Sequence, residues 1–154
     1  MDKIIRNTTE KDMDLLVKMC LDEIVNHQQR AQKFAKDLIY RFKTIICVCD
    51  KNILGTITWD TRGGLEDGVI ELVGLGTSPN FKRQGIAREL VLSLENEARK
   101  YFSKAGYKLR VIYLFMDKSN NIAELFYNHM GFRKVSEIPS LYPNGDAVIW
   151  VKHL

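Results

Sequence analysis

The sequence is short of the residues that staple or span. It holds three cysteines in 154 residues, and an odd number does not close into a disulfide framework. No apolar run approaches the ~20 residues of a membrane helix. The opening MDKIIRNTTEKD lacks the apolar core of a secretory signal, so a cytoplasmic protein with no membrane partner is expected. Only three prolines occur, and no stretch is low in complexity, so residues 1–154 are expected to form a single domain. The three histidines, His27, His129 and His153, are scattered. They do not join Cys47 and Cys49 of the apolar run TIICVC in a four-ligand set, so no metal is expected, and those two thiols read as buried and inert. The P-loop pattern G-x-x-x-x-G-K-[ST] is also missing. Gly74-Leu75-Gly76 is no dinucleotide fingerprint, because Pro79 stands where the third glycine belongs.

What is present describes a soluble globular chain, 45% hydrophobic and 27% charged. The net charge is +4, but Lys82–Arg110 holds eight Lys/Arg against three Asp/Glu, a local +5. Such a zone suits an anionic partner. No recognition motif or aromatic-interleaved basic stripe points to nucleic acid, which leaves a phosphorylated small molecule.

Hydrophobic periodicity gives the elements. Ile4 to Asn7 reads as a short strand. Thr8 or Thr9 caps a helix through Cys20, with Met13, Leu16, Val17 and Cys20 on one face. A second helix runs from about Asn26 to Phe42, with the stripe Ala31, Phe34, Ala35, Leu38, Ile39 and Phe42. TIICVCD and ILGTITW form a hairpin about Lys51-Asn52, and residues 60–67, DTRGGLED, read as a Gly-rich acidic loop. GVIELVGLGT is a strand. The helix after FKRQG reaches Lys104, with the stripe Ile86, Leu90, Val91, Leu94, Ala98 and Phe102. LRVIYLFM is a buried strand, Asn120 to Met130 a helix stopped by Gly131, and FRKVSEI and DAVIWVK are strands joined by PSLYPNG. The order β-α-α-β-β-β-α-β-α-β-β implies an α/β (α+β) domain, with a mixed sheet of six to seven strands and helices on both faces. The strands either side of the 85–104 helix should be parallel.

The stretch FKRQGIAREL places Lys82 and Arg83 at the start of a helix, where the macrodipole disfavours cations. A helix start also presents about four unpaired N–H groups, and Gly85 lets a ligand approach the backbone. Together these features make an anion site.

Two motifs resemble the GNAT superfamily of N-acetyltransferases. Lys82-Arg83-Gln84-Gly85-Ile86-Ala87 is similar to its pyrophosphate signature [Q/R]-x-x-G-x-[G/A], with Lys in first place. NNIAELFYNHMGF is similar to its N-x-x-A-x-x-x-Y-x-x-x-G-F pattern, with Asn120, Ala123, Tyr127, Gly131 and Phe132 in register. The resemblance implies binding of acetyl-CoA, with no metal, and direct transfer of acetyl to a primary amine in a ternary complex. It implies that backbone N–H groups of Arg83 to Ala87 hold the pyrophosphate. It further implies that the preceding strand splays from its parallel neighbour, and that Leu75, Gly76 and Thr77 meet the pantetheine arm. Asn120 falls on a cofactor-contacting position and is equally suited to cap a helix. Arg88 and Lys118 are candidates for the 3′-phosphate.

Tyr127 is the implied general acid for the departing thiolate. Glu71, a lone carboxylate in VIELVGL, is the candidate base, since an unpaired charge there would be costly; a salt-bridged strand carboxylate is the alternative. The acceptor must be neutral to attack. With amine pKa values of about 10.4 for lysine and about 7.7–8.0 for an α-amino group, deprotonation at pH 7 costs roughly 4–5 and roughly 1 kcal/mol.

The resemblance puts the acceptor near the first two helices, where His27 lies, and near the last loop, where Tyr142 lies. A small amine or amino-acid-like molecule is the expected acceptor. The tail SEIPSLYPNGDAVIWVK is similar to that of N-terminal protein acetyltransferases, so a protein N terminus or lysine is the alternative. A non-catalytic acyl-CoA-binding or regulatory module is the rival from another class. Tyr101, Phe102 and Trp150 read as exposed aromatics that could form a homodimer seam.

Overall fold

The computed structural model describes residues 2–154. The helices and strands follow the expected order: β1 Ile4–Asn7, α1 Met13–Glu23, α2 Gln28–Lys36, β2 Lys43–Cys49, β3 Asn52–Arg62, β4 Val69–Thr77, α3 Ile86–Lys104, β5 Val111–Asp117, α4 Asn121–His129, β6 Arg133–Tyr142 and β7 Gly145–His153. They form a seven-stranded mixed sheet in the order β1-β2-β3-β4-β5-β7-β6, and β4 and β5 are parallel. Two compact units are distinguished, one running to Asp60 and including Gly74–Glu97, the other made of Thr61–Val73 and Ala98–Leu154. No helix among the described residues is long and apolar enough to cross a membrane.

In the first unit α1 and α2 cover β2. Leu16, Cys20, Ala31, Ala35, Leu38, Ile46 and Val48 form a closed cluster, at the i, i+3/i+4 spacing that aligns one helix face. Phe34 departs from the expected stripe. It is 39% exposed, because it lines a surface cleft with Val25 and His27. The second helix ends in a π turn over Asp37–Arg41, closed by Phe42 N–H on the Asp37 carbonyl at 2.9 Å. Burial pushes the Cys20 thiol up to about 11, with Glu23 adding to the effect. A buried, protonated thiol is unreactive.

The start of α1 is held by one ion pair. Asp12 is buried and receives both Arg6 guanidinium nitrogens at 2.8 Å and the Thr9 N–H at 2.8 Å. Thr9 therefore opens a 3-10 turn, Glu10–Asp12, and the α-helix proper begins at Met13 and runs on to Glu23.

In the second unit β5 pairs with β7 from Val111↔His153 to Asp117↔Ala147. The buried residues Ile70, Leu72, Ile112, Leu114, Phe132, Val148 and Trp150 belong to it. Gly68 is buried with φ +64, and a Cβ there would sit 2.1 Å from the Lys108 carbonyl, so only glycine fits. The expected α3 stripe is buried throughout. Phe102 and Trp150 are not exposed as expected: they are 1% and 4% accessible, and only Tyr101, at 36%, reaches the surface. Phe102 completes the i, i+4 stripe, and Trp150 alternates inward with Val148 along β7.

Three boundaries move. The first hairpin turns at Asp50-Lys51, with Cys49 opposite Asn52 and Asp50 at φ 55. β3 continues through Asp60 to Arg62, so DTRGGLED is not wholly loop, and the Asp67 carboxylate caps its own turn on Gly64 N–H at 2.7 Å. β6 extends to Tyr142, and its turn shrinks to Pro143-Asn144. β6 is also an edge strand. It is interrupted by a bulge between Lys134 and Ser136, by a second irregularity between Ile138 and Tyr142, and by Pro139.

Asp12→Asn should lower stability by about 1.5–3 kcal/mol at pH 7, the usual loss for a charge-assisted hydrogen bond. The Arg6 hydrogen bonds hold the Asp12 carboxyl below its ordinary value. Its contribution is therefore complete above the unfolded carboxyl pKa of about 3.9 and is lost as pH falls through the folded value. Urea unfolding of wild type and variant should accordingly show the gap closing in acid.

Candidate functional site

In the first unit β4 ends at Thr77, and the chain makes one 3-10 turn, Pro79–Phe81. The Ser78 N–H, donating to the Leu54 carbonyl at 2.9 Å, ties this turn to β3. The backbone then reverses, with Arg83 at φ 63 and Gly85 at φ 76. The first ladder bond of α3 runs from Glu89 N–H to the Gly85 carbonyl at 3.0 Å. The N–H groups of Ile86, Ala87 and Arg88 thus precede the ladder and point out of the helix end. Ile86 is buried and anchors the turn, while Lys82, Arg83, Gln84, Gly85 and Arg88 are exposed. Among the described residues no ion pair neutralises Lys82, Arg83 or Arg88.

The glycines separate into two kinds. A Cβ at Gly55 would meet the Gly76 carbonyl at 2.9 Å and Ile86 at 3.0 Å, so that glycine serves close packing. A Cβ at Gly74, Gly76 or Gly85 would meet nothing within 4 Å. Packing does not require glycine at Gly74 or Gly76, while the positive φ of Gly85 does call for it. All three leave open backbone that a diphosphate and a narrow arm can approach, so the residues fit acetyl-CoA.

Leu75 and Thr77 are half-buried beside them. Gly76 and Thr77 line a cavity of about 230 Å³ with Met19, Glu23 and Ile24 of the α1 end, a wall the sequence reading missed. His27 lies apart from it. Its Nδ1 accepts the Arg30 N–H at 3.3 Å and caps α2, in a cleft of about 460 Å³ that includes none of residues 75–88.

In the second unit the β4–β5 ladder is short. Val69↔Val111, Ile70↔Ile112 and Glu71↔Tyr113 are in register, and the pairing then stops. Leu72 and Val73 therefore run on without a registered β5 partner, which is the expected splay. Ile70 and Leu72 point into the core, while Glu71 and Val73 take the other, more open face. Glu71 is the salt-bridged strand carboxylate: its Oε2 accepts a hydrogen bond from Arg62, whose other terminal nitrogen donates to the Thr61 carbonyl at 2.8 Å. The sequence reading lost Arg62 inside a loop. Continuing the β3 alternation through Trp59-Asp60-Thr61-Arg62 would have found it.

Tyr127 is 7% exposed, edge-on to Phe126 and Phe132 with centroids 5.2 and 5.5 Å away. Burial pushes its phenol up to about 12. Asn120 is exposed, and its Oδ1 accepts the Ala123 N–H at 3.1 Å, capping α4. Lys118 is drawn to Glu137 at 3.1 Å. Tyr142 closes β6 opposite Gly145; burial, then the nearby Asp117 charge, raises its phenol. No group of three or more His, Cys, Asp and Glu among the described residues is placed to hold a metal ion.

The model of the acetyltransferase (GNAT) family matches residues 13–132. An uncharacterized N-acetyltransferase of Methanocaldococcus jannaschii is 27% identical over 97% of this chain and 90% of its own length. Among solved structures, the ribosomal-protein-S18-alanine N-acetyltransferase of Escherichia coli is similar with a TM-score of 0.77 at 17% identity, covering 99% of this chain and 94% of that one. NAA60 of Arabidopsis thaliana, in complex with acetyl-CoA, has a TM-score of 0.73 at 20% identity, covering 99% of each chain.

Gly76→Val should leave stability within about 0.5 kcal/mol of wild type, as for a surface change, because its side chain meets open space. The same branched side chain should weaken acetyl-CoA binding roughly tenfold or more by steric exclusion. Calorimetric titration beside a urea melt reads both effects.

Proposed function

The chain belongs to the GNAT acetyltransferase family, and from that premise we propose that it transfers acetyl from acetyl-CoA to a small primary amine or amino-acid-like molecule, with Tyr127 and Glu71 handling the protons. The observation that carries the cofactor half is the open backbone at Gly74, Gly76 and Gly85 beside Lys82, Arg83 and Arg88, which form no ion pair among the described residues. Acetyl-CoA supplies the thioester. In this reading the N–H groups that open α3 bond the pyrophosphate, with Lys82, Arg83 and Arg88 balancing its charge. Leu75 to Thr77 offer backbone groups to the pantetheine arm.

The neutral amine nitrogen attacks the thioester carbonyl carbon. A C–N bond forms and the C–S bond breaks. The nitrogen's surplus proton passes to the Glu71 carboxylate, and the thiolate takes a proton from the Tyr127 hydroxyl. A phenol held near 12 keeps its proton throughout the physiological range. A thiolate emerging away from water is likewise a stronger base than in solution. Binding both reactants at once supplies the remaining advantage as orientation. A protein N terminus is the second acceptor considered, favoured by the tail around Tyr142 and by a structural neighbour named for acting on a ribosomal-protein alanine.

Tyr127→Phe should lower turnover at least roughly tenfold, the lower reach of general acid catalysis, with acetyl-CoA affinity little changed. The loss should be equal from pH 6 to 9, because the phenol does not titrate there. Glu71→Gln should cut turnover or move the pH–rate profile. A Glu71→Gln enzyme with the wild-type rate and profile would remove Glu71 from the mechanism. Thiol release across an amine panel, with mass spectrometry of products, tests the activity and identifies the acceptor.

A further inference from the structure

Glu71 is not an open carboxylate. It is the first member of a row across four strands: Glu71 opposite Tyr113, Tyr113 opposite Val151, and Val151 opposite Arg133. Residues directly opposite in a sheet share a face. Along this face Val73 and Phe115 are 39% and 36% exposed, and Ile149, opposite Phe115, is half-buried. The surface is therefore largely apolar. Beside Glu71 stand the Arg62 guanidinium bonded to it and the half-buried Tyr113 phenol of β5. The same alternation adds Asp60, two residues before Arg62 on β3 and itself engaged, Asp117, bonded to Ser119, His153 of β7 and, at the far strand, Arg133 of β6. The carboxylate beside the exposed apolar residues is thus already paired with a guanidinium.

Resting on the amine-acetylation reading above, we propose that this face selects acceptors that present an α-amino group, and that Arg62 sets the selection by occupying the carboxylate a permanently cationic side-chain amine would need. An approaching lysine or polyamine ammonium finds Glu71 Oε2 already bonded to Arg62. It gains no ion pair to offset its desolvation. An acceptor must then arrive neutral. With amine pKa values of about 7.7–8.0 and about 10.4, roughly a tenth of α-amino groups are neutral at pH 7, against about one lysine side chain in 2,500. The ratio of the two is of order 10². A carboxylate already paired with Arg62 passes that ratio on to its substrates, whereas an unpaired one would gather ammonium ions and erode it. The exposed apolar residues beside Glu71 suit the uncharged flank of an amino acid or peptide.

The test compares thiol release at pH 7 with alanine amide, which offers only an α-amine, and Nα-acetyl-lysine amide, which offers only a side-chain amine. Wild type should favour alanine amide in kcat/KM by about a hundredfold or more, following the neutral fractions. Arg62→Gln should shrink that preference at least tenfold, and Arg62→Lys, which keeps the charge, should retain most of it. Equal rates for the two amines in wild type overturn the proposal without needing any variant. So does an active Arg62→Gln enzyme with the full wild-type preference. Absence of thiol release with both amines and with the whole amine panel is a separate failure, that of the acetyl-transfer reading itself.

Discussion

The parallel ladder between β4 and β5 ends after Glu71↔Tyr113, and the second unit is organised around that early stop. Buried backbone donors and acceptors must find partners, so a strand can leave its neighbour only where something else holds it. β5 meets this condition through β7, which pairs with it along its whole length from Val111 to Asp117. β5 therefore stays ordered past the point where β4 leaves it. Beyond Glu71 the backbone groups of β4 that face β5 have no registered β5 partner, an edge that a guest in extended conformation can join. Strand pairing on the far side thus makes room on the near side.

Charge follows a similar logic. Three carboxylates at strands and a helix start are paired with cations: Asp12 with Arg6, Glu71 with Arg62, and Glu137 with Lys118 and Lys134. The cations at the start of α3 form no such pair among the described residues. That contrast gives the turn its meaning. Paired charges fix the chain's own geometry, while Lys82, Arg83 and Arg88 stand by backbone that bends through positive φ at Arg83 and Gly85, around space that no side chain fills.

Much of this was legible in the sequence wherever period and chemistry agreed. The α3 stripe from Ile86 to Phe102 is regular over five turns, and every expected member is buried. The glycine at position 85 and the Asn120 cap follow from local stereochemistry. Trp150 reads as exposed because an aromatic near a strand end looks alike whether it faces in or out; the alternation along β7 decides the matter, as the α3 stripe does for Phe102. Arg62 is hidden because glycine and acidic residues mask a strand that continues three residues further, through Asp60 and Thr61 to Arg62. The α1 wall of the Gly76 cavity could not be read at all, since Met19, Glu23 and Ile24 reach it through the tertiary path of a helix. The acceptor's identity is decided by such long-range neighbours, which no local pattern encodes.

The irregular edge along β6 has a consequence beyond the site. A smooth outer strand offers regularly spaced amides for a stray chain to copy. Here two register breaks, the missing N–H of Pro139 and the lysine at Lys134 spoil the template. This rim is therefore a poor place for another copy to add a strand, and the sheet's remaining open edge is β1.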